Sequence, residues 1–163
     1  MKKESNLKRL MGYAGQHRYL TYASWLLSVI SALTALVPFI CIWRIIHDVL
    51  DVAPDFGMAT GLVRCGVMAV VFAVLSYLIY IGALMCSHLS AFRVATNLRL
   101  EVTEHIAKLP LGFADSFGSG KLRKIISDST GATETYLAHQ LPDKAGALAT
   151  PIGLLVLLFV FDW

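Results

Sequence analysis

Apolar residues in this chain gather in long unbroken runs. Tyr19 to Trp43 is 25 residues without a charge, bounded by Arg18 and Arg44. Cys65 to Phe92 is 28 residues whose only candidate for a charge near neutrality is His88. Ala145 to Phe161 adds 17 more, between Asp143-Lys144 and Asp162. A hydrocarbon core of ~30 Å is crossed by about 20 helical residues, so the first two runs predict membrane-spanning helices. The third does so with Lys144 snorkelling to the interface. A cleaved signal peptide fits the first run poorly, because its apolar region is about 7–15 residues and closes on a small-residue cleavage site. Pro38 predicts a kink in the first span, of the kind neighbouring membrane helices accommodate.

The second run changes period where the lipid should end. No proline interrupts the 48 residues from Leu62 to Leu109, and glycine occurs only at Gly66 and Gly82. As one helix they would reach about 72 Å, roughly twice the hydrocarbon thickness. Beyond Arg93, Ala95, Leu98, Val102, Ile106 and Leu109 recur at three- or four-residue steps, with Arg99, Glu101, Glu104, His105 and Lys108 between them. That is one apolar stripe on a polar helix, and Glu104 with Lys108 is a favourable i,i+4 pair. A helix lying on the lipid surface is the competing reading, but such helices are rich in Lys and Arg. Here acids and bases alternate and no breaker intervenes, so the helix is expected to continue into the cytoplasm.

Pro110 to Gly120 reads as a compact loop with Gly112, Gly118 and Gly120, in which Phe113 and Phe117 predict a packed turn. Lys121 to Ser127 predicts a short helix with Ser119 as its N-cap. Thr130 to Gln140 then leads back to the third span. Two long helices joined by a short helical tip would project from the membrane as an arm able to press on a partner.

Composition supports the membrane reading. Of 163 residues, 56% are hydrophobic and only 15% charged, with a mean hydropathy of +0.65. A soluble domain carries about 45–50% apolar and about 25% charged residues, and disordered chains are more polar still. The net charge of +3 is small, but 12 of the 14 basic residues fall in two places. Lys2, Lys3, Lys8, Arg9 and Arg18 precede the first span. Arg93, Arg99, Lys108, Lys121, Arg123, Lys124 and Lys144 lie between the second and third. The connection after the first span carries Asp48, Asp51 and Asp55. The positive-inside rule therefore places the N-terminus and the long second connection in the cytoplasm and the chain's end outside. Cys41, Cys65 and Cys86 sit in apolar runs, as packing residues do.

The chain offers little chemistry of its own. Gly118-Ser119-Gly120-Lys121 lacks the glycine five positions earlier and the following Ser or Thr of a phosphate loop. Glu101, Glu104 and His105 match neither order of a helical zinc motif. His88 lies near the inner membrane edge, where an ionisable group is a functional candidate and could line a pathway with Tyr77 and Tyr80, although a hydrogen-bonded packing histidine is the plainer account. Tyr77 and Tyr80, spaced i,i+3, are candidate pathway-lining residues or packing residues alike. Ser24, Ser28 and Ala32 form a small-residue stripe on the first span, and Gly146 with Thr150 begins another on the third, as at close helix contacts. No nucleophile–base pair, metal site or bound cofactor is expected, and no nucleic-acid partner.

Leu98-Arg99, His105, Leu109-Pro110, Phe113, Asp115, Gly120 and Leu122, with Asp128 beyond, resemble the transmembrane domain of ATP-binding cassette (ABC) transporters of the exporter fold. Ala114, Lys124-Ile125 and Asp128-Ser129 depart from that family's commoner residues. The resemblance implies an all-α integral membrane protein. Its three transmembrane helices, with long cytoplasmic extensions of helices 2 and 3, form half of a six-helix ABC exporter-type domain. The implied layout is a cytoplasmic elbow segment over 1–18, with its helix from Asn6 to Arg18, and a partial transmembrane domain over 19–163. Within the latter, the first membrane helix covers about 19–46, the second about 62–109, the intracellular loop with its coupling helix about 110–128, and the third about 130–162.

In that family the coupling helix, here around Phe117 to Ile126, touches the nucleotide-binding domains. The resemblance therefore implies partner contacts at Phe117, Gly120, Lys121, Leu122, Arg123 and Lys124, with Asp162-Trp163 as the turn after the third helix. Its implied partners are nucleotide-binding domains, a second transmembrane half or homologous subunit, and the lipid bilayer. ATP and Mg²⁺ would be bound on the partner or on a portion outside this chain, which is not itself expected to be an enzyme. The runs Leu109-Pro110-Leu111-Gly112-Phe113 and Ala138-His139-Gln140-Leu141-Pro142-Asp143 resemble the branch that includes metal–siderophore transporters. With three helices and no phosphate loop, the sequence is expected to be a fragment, a truncated reading frame or one half of an assembly formed in trans. The competing function is a small membrane adaptor that binds another protein through its cytoplasmic arm.

Overall fold

A computed structural model describes residues 6–53, 61–110, 112 and 116–161, and among them the backbone is helix and turn with no strand. The chain runs α1 (Asn6–Tyr13), a 3-10 turn (Gly15–His17), α2 (Arg18–Thr34), α3 (Val37–Asp51), α4 (Leu62–Ala107) and α5 (Ser119–Arg123). A π-helical stretch (Lys124–Ser129), α6 (Thr130–Thr135), a second π-helical stretch (Tyr136–Gln140) and α7 (Leu141–Phe161) complete it. Three helical stretches, Gly15–Asp51, Leu62–Ala107 and Ser119–Phe161, are long and apolar enough to cross a membrane. The expected features at Lys2, Lys3, Asp55, Leu111, Phe113, Ala114, Asp115 and Asp162-Trp163 lie outside the described residues.

The 46 residues of α4 correspond to a helix of about 69 Å, for want of any breaker between Leu62 and Ala107. The first span, by contrast, is interrupted at Ala35-Leu36 instead of bending within one helix. Pro38 has no N–H to give the Thr34 carbonyl, and its ring crowds that turn. It sits in the first turn of α3, where the missing donor costs least. Phe39 and Ile40 restart the ladder by donating to the Leu36 carbonyl at 3.1 and 3.3 Å.

Burial is inverted relative to a soluble bundle. The buried set is dominated by small residues, among them Ser24, Ser28, Ser31, Ser76, Ser87, Ser90, Ala83, Ala91 and Ala95. Large side chains face outward, with Val63 81%, Leu148 68% and Phe159 68% exposed. Water would penalise such a surface at about 25 cal/mol per Å², whereas lipid does not. Small residues inside let helix backbones approach closely, which is how membrane helices associate.

The chain forms two compact units, one of Met1–Ser24 with Leu84–Pro142 and one of Trp25–Ala83 with Asp143–Trp163. The first has a core of Ala14, Ala91, Val94, Leu137 and Ala138, against which Leu10, Tyr13, Tyr136 and Leu141 pack. Thr21 and Ser90 share a buried 2.6 Å hydrogen bond, and the Asn97 side-chain amide donates to the Tyr13 carbonyl at 2.8 Å. In the second, Ser31 donates to the Ser76 carbonyl at 2.8 Å. The stripes on the first and third spans meet there: a Cβ on Gly146 would stand 3.0 Å from Ser28 Oγ, and one on Gly153 only 2.5 Å from Leu36 Cδ1.

Candidate functional site at the helical tip

The tip helix α5 opens at a glycine. Gly118 has φ +74° and ψ 143°, a backbone state that side chains resist. It occupies the cap position before α5, so Ser119 is the first helical residue and not the N-cap expected from sequence. The reason is backbone geometry: Gly118 takes the positive φ immediately before α5, and no side chain caps this end.

From Ser119 the helix continues without a break, and the π stretch at Lys124–Ser129 carries it into α6. There Arg99 holds it to α4. Its Nε donates to Thr130 Oγ1 at 3.0 Å, and its Nη2 donates to Glu134 Oε2 at 3.2 Å. Thr130 is buried and donates in turn to the Ile126 carbonyl at 2.6 Å, so the fork of Arg99 reads a hydroxyl already oriented by its own helix. On the other side of α4, the Tyr13 phenol bonds the Glu101 carboxylate, which holds the phenol's pKa above its ordinary value.

The residues expected at the partner contact separate into two groups. Leu98, Val102 and Ile106 from the apolar stripe of α4, with Leu109 just beyond its end, line a groove of about 370 Å³ together with Phe117 and Leu122. Both of these tip residues are half-buried. Gly120, Lys121, Arg123 and Lys124 are exposed. Lys121 Nζ lies 4.4 Å above the Phe117 ring, a cation–π contact that sets the lysine beside the apolar seam. Helical periodicity accounts for part of the division: Leu122 sits one turn before Ile125, and both line the groove with Phe117, whereas Arg123 and Lys124 fall at other angles around the helix. The tip is thus an apolar wedge with a basic outer surface, and Asp128 is exposed beyond it.

The three candidate pathway residues on α4 differ in surroundings. In the second unit, Tyr77 is 64% exposed, while the half-buried Tyr80 donates its hydroxyl to Asp143 Oδ1 at 2.8 Å. In the first unit, His88 stacks edge-on against His139, with ring centroids 4.7 Å apart and planes at 82°. Its ring also packs against Phe92, with centroids 5.8 Å apart. Sequence reasoning noted Asp143 only as a span boundary and His139 only within a family motif. The signal present for both was Pro142, which disturbs the helix between them. Among the described residues there is no group of three or more potential metal ligands, and the three cysteines are free.

Long helices with apolar exteriors, small-residue seams and a two-helix arm closed by a basic tip define a membrane permease domain. The family model for the ABC transporter transmembrane region matches residues 21–163, and the chain belongs to that family. Among curated proteins it is similar to the mycobactin import ATP-binding/permease protein IrtA of Mycobacterium tuberculosis, with 39% identity over 50% of this chain and 10% of the relative. The Mycolicibacterium smegmatis protein of the same name is 29% identical over 86% of the chain and 16% of its own length. The ATP-dependent lipid A-core flippase of Idiomarina loihiensis is 26% identical over the whole chain and 27% of its length. The chain thus spans roughly a quarter or less of these relatives.

Proposed function

We propose that this chain supplies the first three membrane helices and the first intracellular loop of an ATP-driven transporter, with its tip docking on a nucleotide-binding domain. The carrying observation is the tip itself, in which Phe117 and Leu122 fold onto the α4 stripe while Gly120, Lys121, Arg123 and Lys124 face outward. A force on that surface is passed to α4 through the Arg99 fork and to α7 through the continuous helix from Ser119 to Phe161. ATP and Mg²⁺ belong to the partner domain, and a second transmembrane half completes the pathway. The basic residues before α2 and around the tip support a cytoplasmic N-terminus and tip. The relatives named for mycobactin import favour a substrate of the siderophore class, with Tyr77 and Tyr80 on the helix that lines its route.

The test is site-directed cross-linking in the full-length protein in native membranes. With Arg123→Cys, a short thiol cross-linker is expected to capture an ATP-binding cassette domain, identified by mass spectrometry. The double reversal Arg123→Glu and Lys124→Glu is expected to lower ATP hydrolysis at unchanged folded yield. Full ATP hydrolysis by the reversal variant, with no cassette domain captured, would overturn the proposal.

A further inference from the structure

The first uncharged run begins after Arg18, and the second ends before Arg93. Two hydrogen bonds bring these two ends to one level. Thr21 and Ser90 join through their hydroxyls at 2.6 Å, and the Asn97 amide donates to the Tyr13 carbonyl at 2.8 Å. Going back from Thr21 to Tyr13 is therefore going forward from Ser90 to Asn97, so the two segments are antiparallel. Arg18 stands three residues before Thr21 and Arg93 three residues after Ser90, a rise of about 4.5 Å on each helix. Both guanidiniums thus leave the helices at the plane where both apolar surfaces stop. That plane fits a water–lipid boundary, because a charge within hydrocarbon is costly. Tyr19 beside Arg18 is exposed, as tyrosines of an interfacial aromatic belt are.

The positive charge at this plane has no counterion among the described residues. Arg18 and Arg93 are both exposed, and neither makes an ion pair or side-chain hydrogen bond there. No Asp or Glu occurs from Asn6 to His47 or from Leu62 to Leu100. The next carboxylate on α4, Glu101, is eight residues past Arg93, about 12 Å along the axis, and it already bonds the Tyr13 phenol. Glu134 is taken by Arg99. Arg9 adds a further exposed cation on α1, which Leu10 and Tyr13 hold against the core. A guanidinium is weakly hydrated, and its fork of N–H donors matches phosphate oxygens. A zwitterionic headgroup would carry its own cation into this field, whereas an anionic headgroup carries none.

We propose that Arg18 and Arg93 form a docking surface for anionic phospholipid. Each guanidinium holds a headgroup phosphate, and the acyl chains lie along the exposed apolar faces that carry Tyr22 and Leu89. Bound lipid then fixes the level of both helices at the edge of the bilayer. The surface uses no residue of the tip and stands whether or not the tip docks on a nucleotide-binding domain.

The probe is phosphatidylglycerol, compared with phosphatidylcholine of the same acyl chains, titrated into the full-length protein in detergent. Bound lipid is counted by native mass spectrometry. The wild type is expected to prefer phosphatidylglycerol by about tenfold or more. Arg18→Gln and Arg93→Gln are each expected to lower that affinity about fivefold, the worth of one basic residue at an anionic surface, with phosphatidylcholine binding unchanged. The paired substitution Arg18→Lys and Arg93→Lys is expected to retain most of the preference, which separates loss of charge from misfolding. Arg123→Gln, on the arm, is expected to leave the preference intact, and added salt to weaken it. Equal affinity of the wild type for the two lipids would refute the surface. So would an undiminished preference in the Arg18→Gln, Arg93→Gln double variant, or equally effective competition by glycerol phosphate without acyl chains.

Discussion

The unit formed by Trp25–Ala83 and Asp143–Trp163 and the unit formed by Met1–Ser24 and Leu84–Pro142 hold themselves together differently. In the former, the close contacts are made where side chains are missing: Gly153 against Leu33 and Leu36, and Gly146 against Ser28. In the latter, a good share of the contacts are directed polar ones, from Arg99 to Thr130 and Glu134, from Ser87 to two carbonyls, and between Thr21 and Ser90. Lipid tails are as apolar as leucine and give helices no hydrophobic reason to associate, so dispersion at close range must do the work there. Where a segment emerges into water, an amphipathic stripe and paired charges can again be used. One unit should therefore be sensitive to added volume and the other to deleted donors.

That contrast can be broken by substitution. The largest effect is expected from Gly153→Val, whose Cβ would stand 2.5 Å from Leu36 Cδ1 and 3.0 Å from Leu33 Cδ2. Overpacking of this kind costs about 1–3 kcal/mol, visible as a lowered midpoint in thermal unfolding of the solubilised protein. The same substitution at Gly131, where a Cβ meets nothing within 4 Å, should leave the midpoint nearly unmoved. Equal losses at both glycines would contradict the account of the seam.

A smaller effect is expected from Ser87→Ala, which adds no volume yet strips the Leu137 and Ala138 carbonyls of their donor. The loss is about 1–2 kcal/mol, with faster hydrogen exchange confined to the amides around the π turn at Tyr136–Gln140. Uniform exchange across the chain would show that Ser87 does not clamp that turn.

The smallest is expected from Arg99→Lys. The Arg99–Glu134 pair is partly exposed, at 42% and 24%, so screening keeps its worth to about 0.5–1 kcal/mol. Lysine keeps the charge but cannot reach Thr130 and Glu134 with one planar fork. On the proposed function, the sharper readout is in the full-length protein: ATP hydrolysis should become less responsive to substrate while basal hydrolysis is retained. Unaltered responsiveness would remove Arg99 from the route between tip and membrane.

Much of the fold was legible because membrane crossing is written in run length and charge, which need no partner to be read. The three long helices, the overlong α4, the amphipathic stripe from Leu98 to Leu109 and the small-residue stripes all follow from spacing within one helix. The interruption at Ala35-Leu36 was foreshadowed by Pro38, though as a bend. Three features of the site were not legible. Ser119 looked like a cap, but Gly118 holds that position at positive φ. Phe117 and Leu122 looked equivalent to Lys121 and Arg123, but the fold sends the apolar pair onto α4. His139 and Asp143 carried no local mark of their partners, His88 and Tyr80, which stand 51 and 63 residues away in sequence.

By itself, then, the amino-acid order determined that this chain crosses a membrane as long helices and that one of them outruns the lipid. Hydropathy over a single helix is a property of neighbouring residues, and the cost of burying a charge in hydrocarbon leaves few alternatives. Only the tertiary structure decided which tip residues face outward, which carbonyls Ser87 rescues, and which two histidines meet. Those outcomes depend on how separate helices are rotated and set in register, and a shift of one residue turns a helical side chain through about 100°.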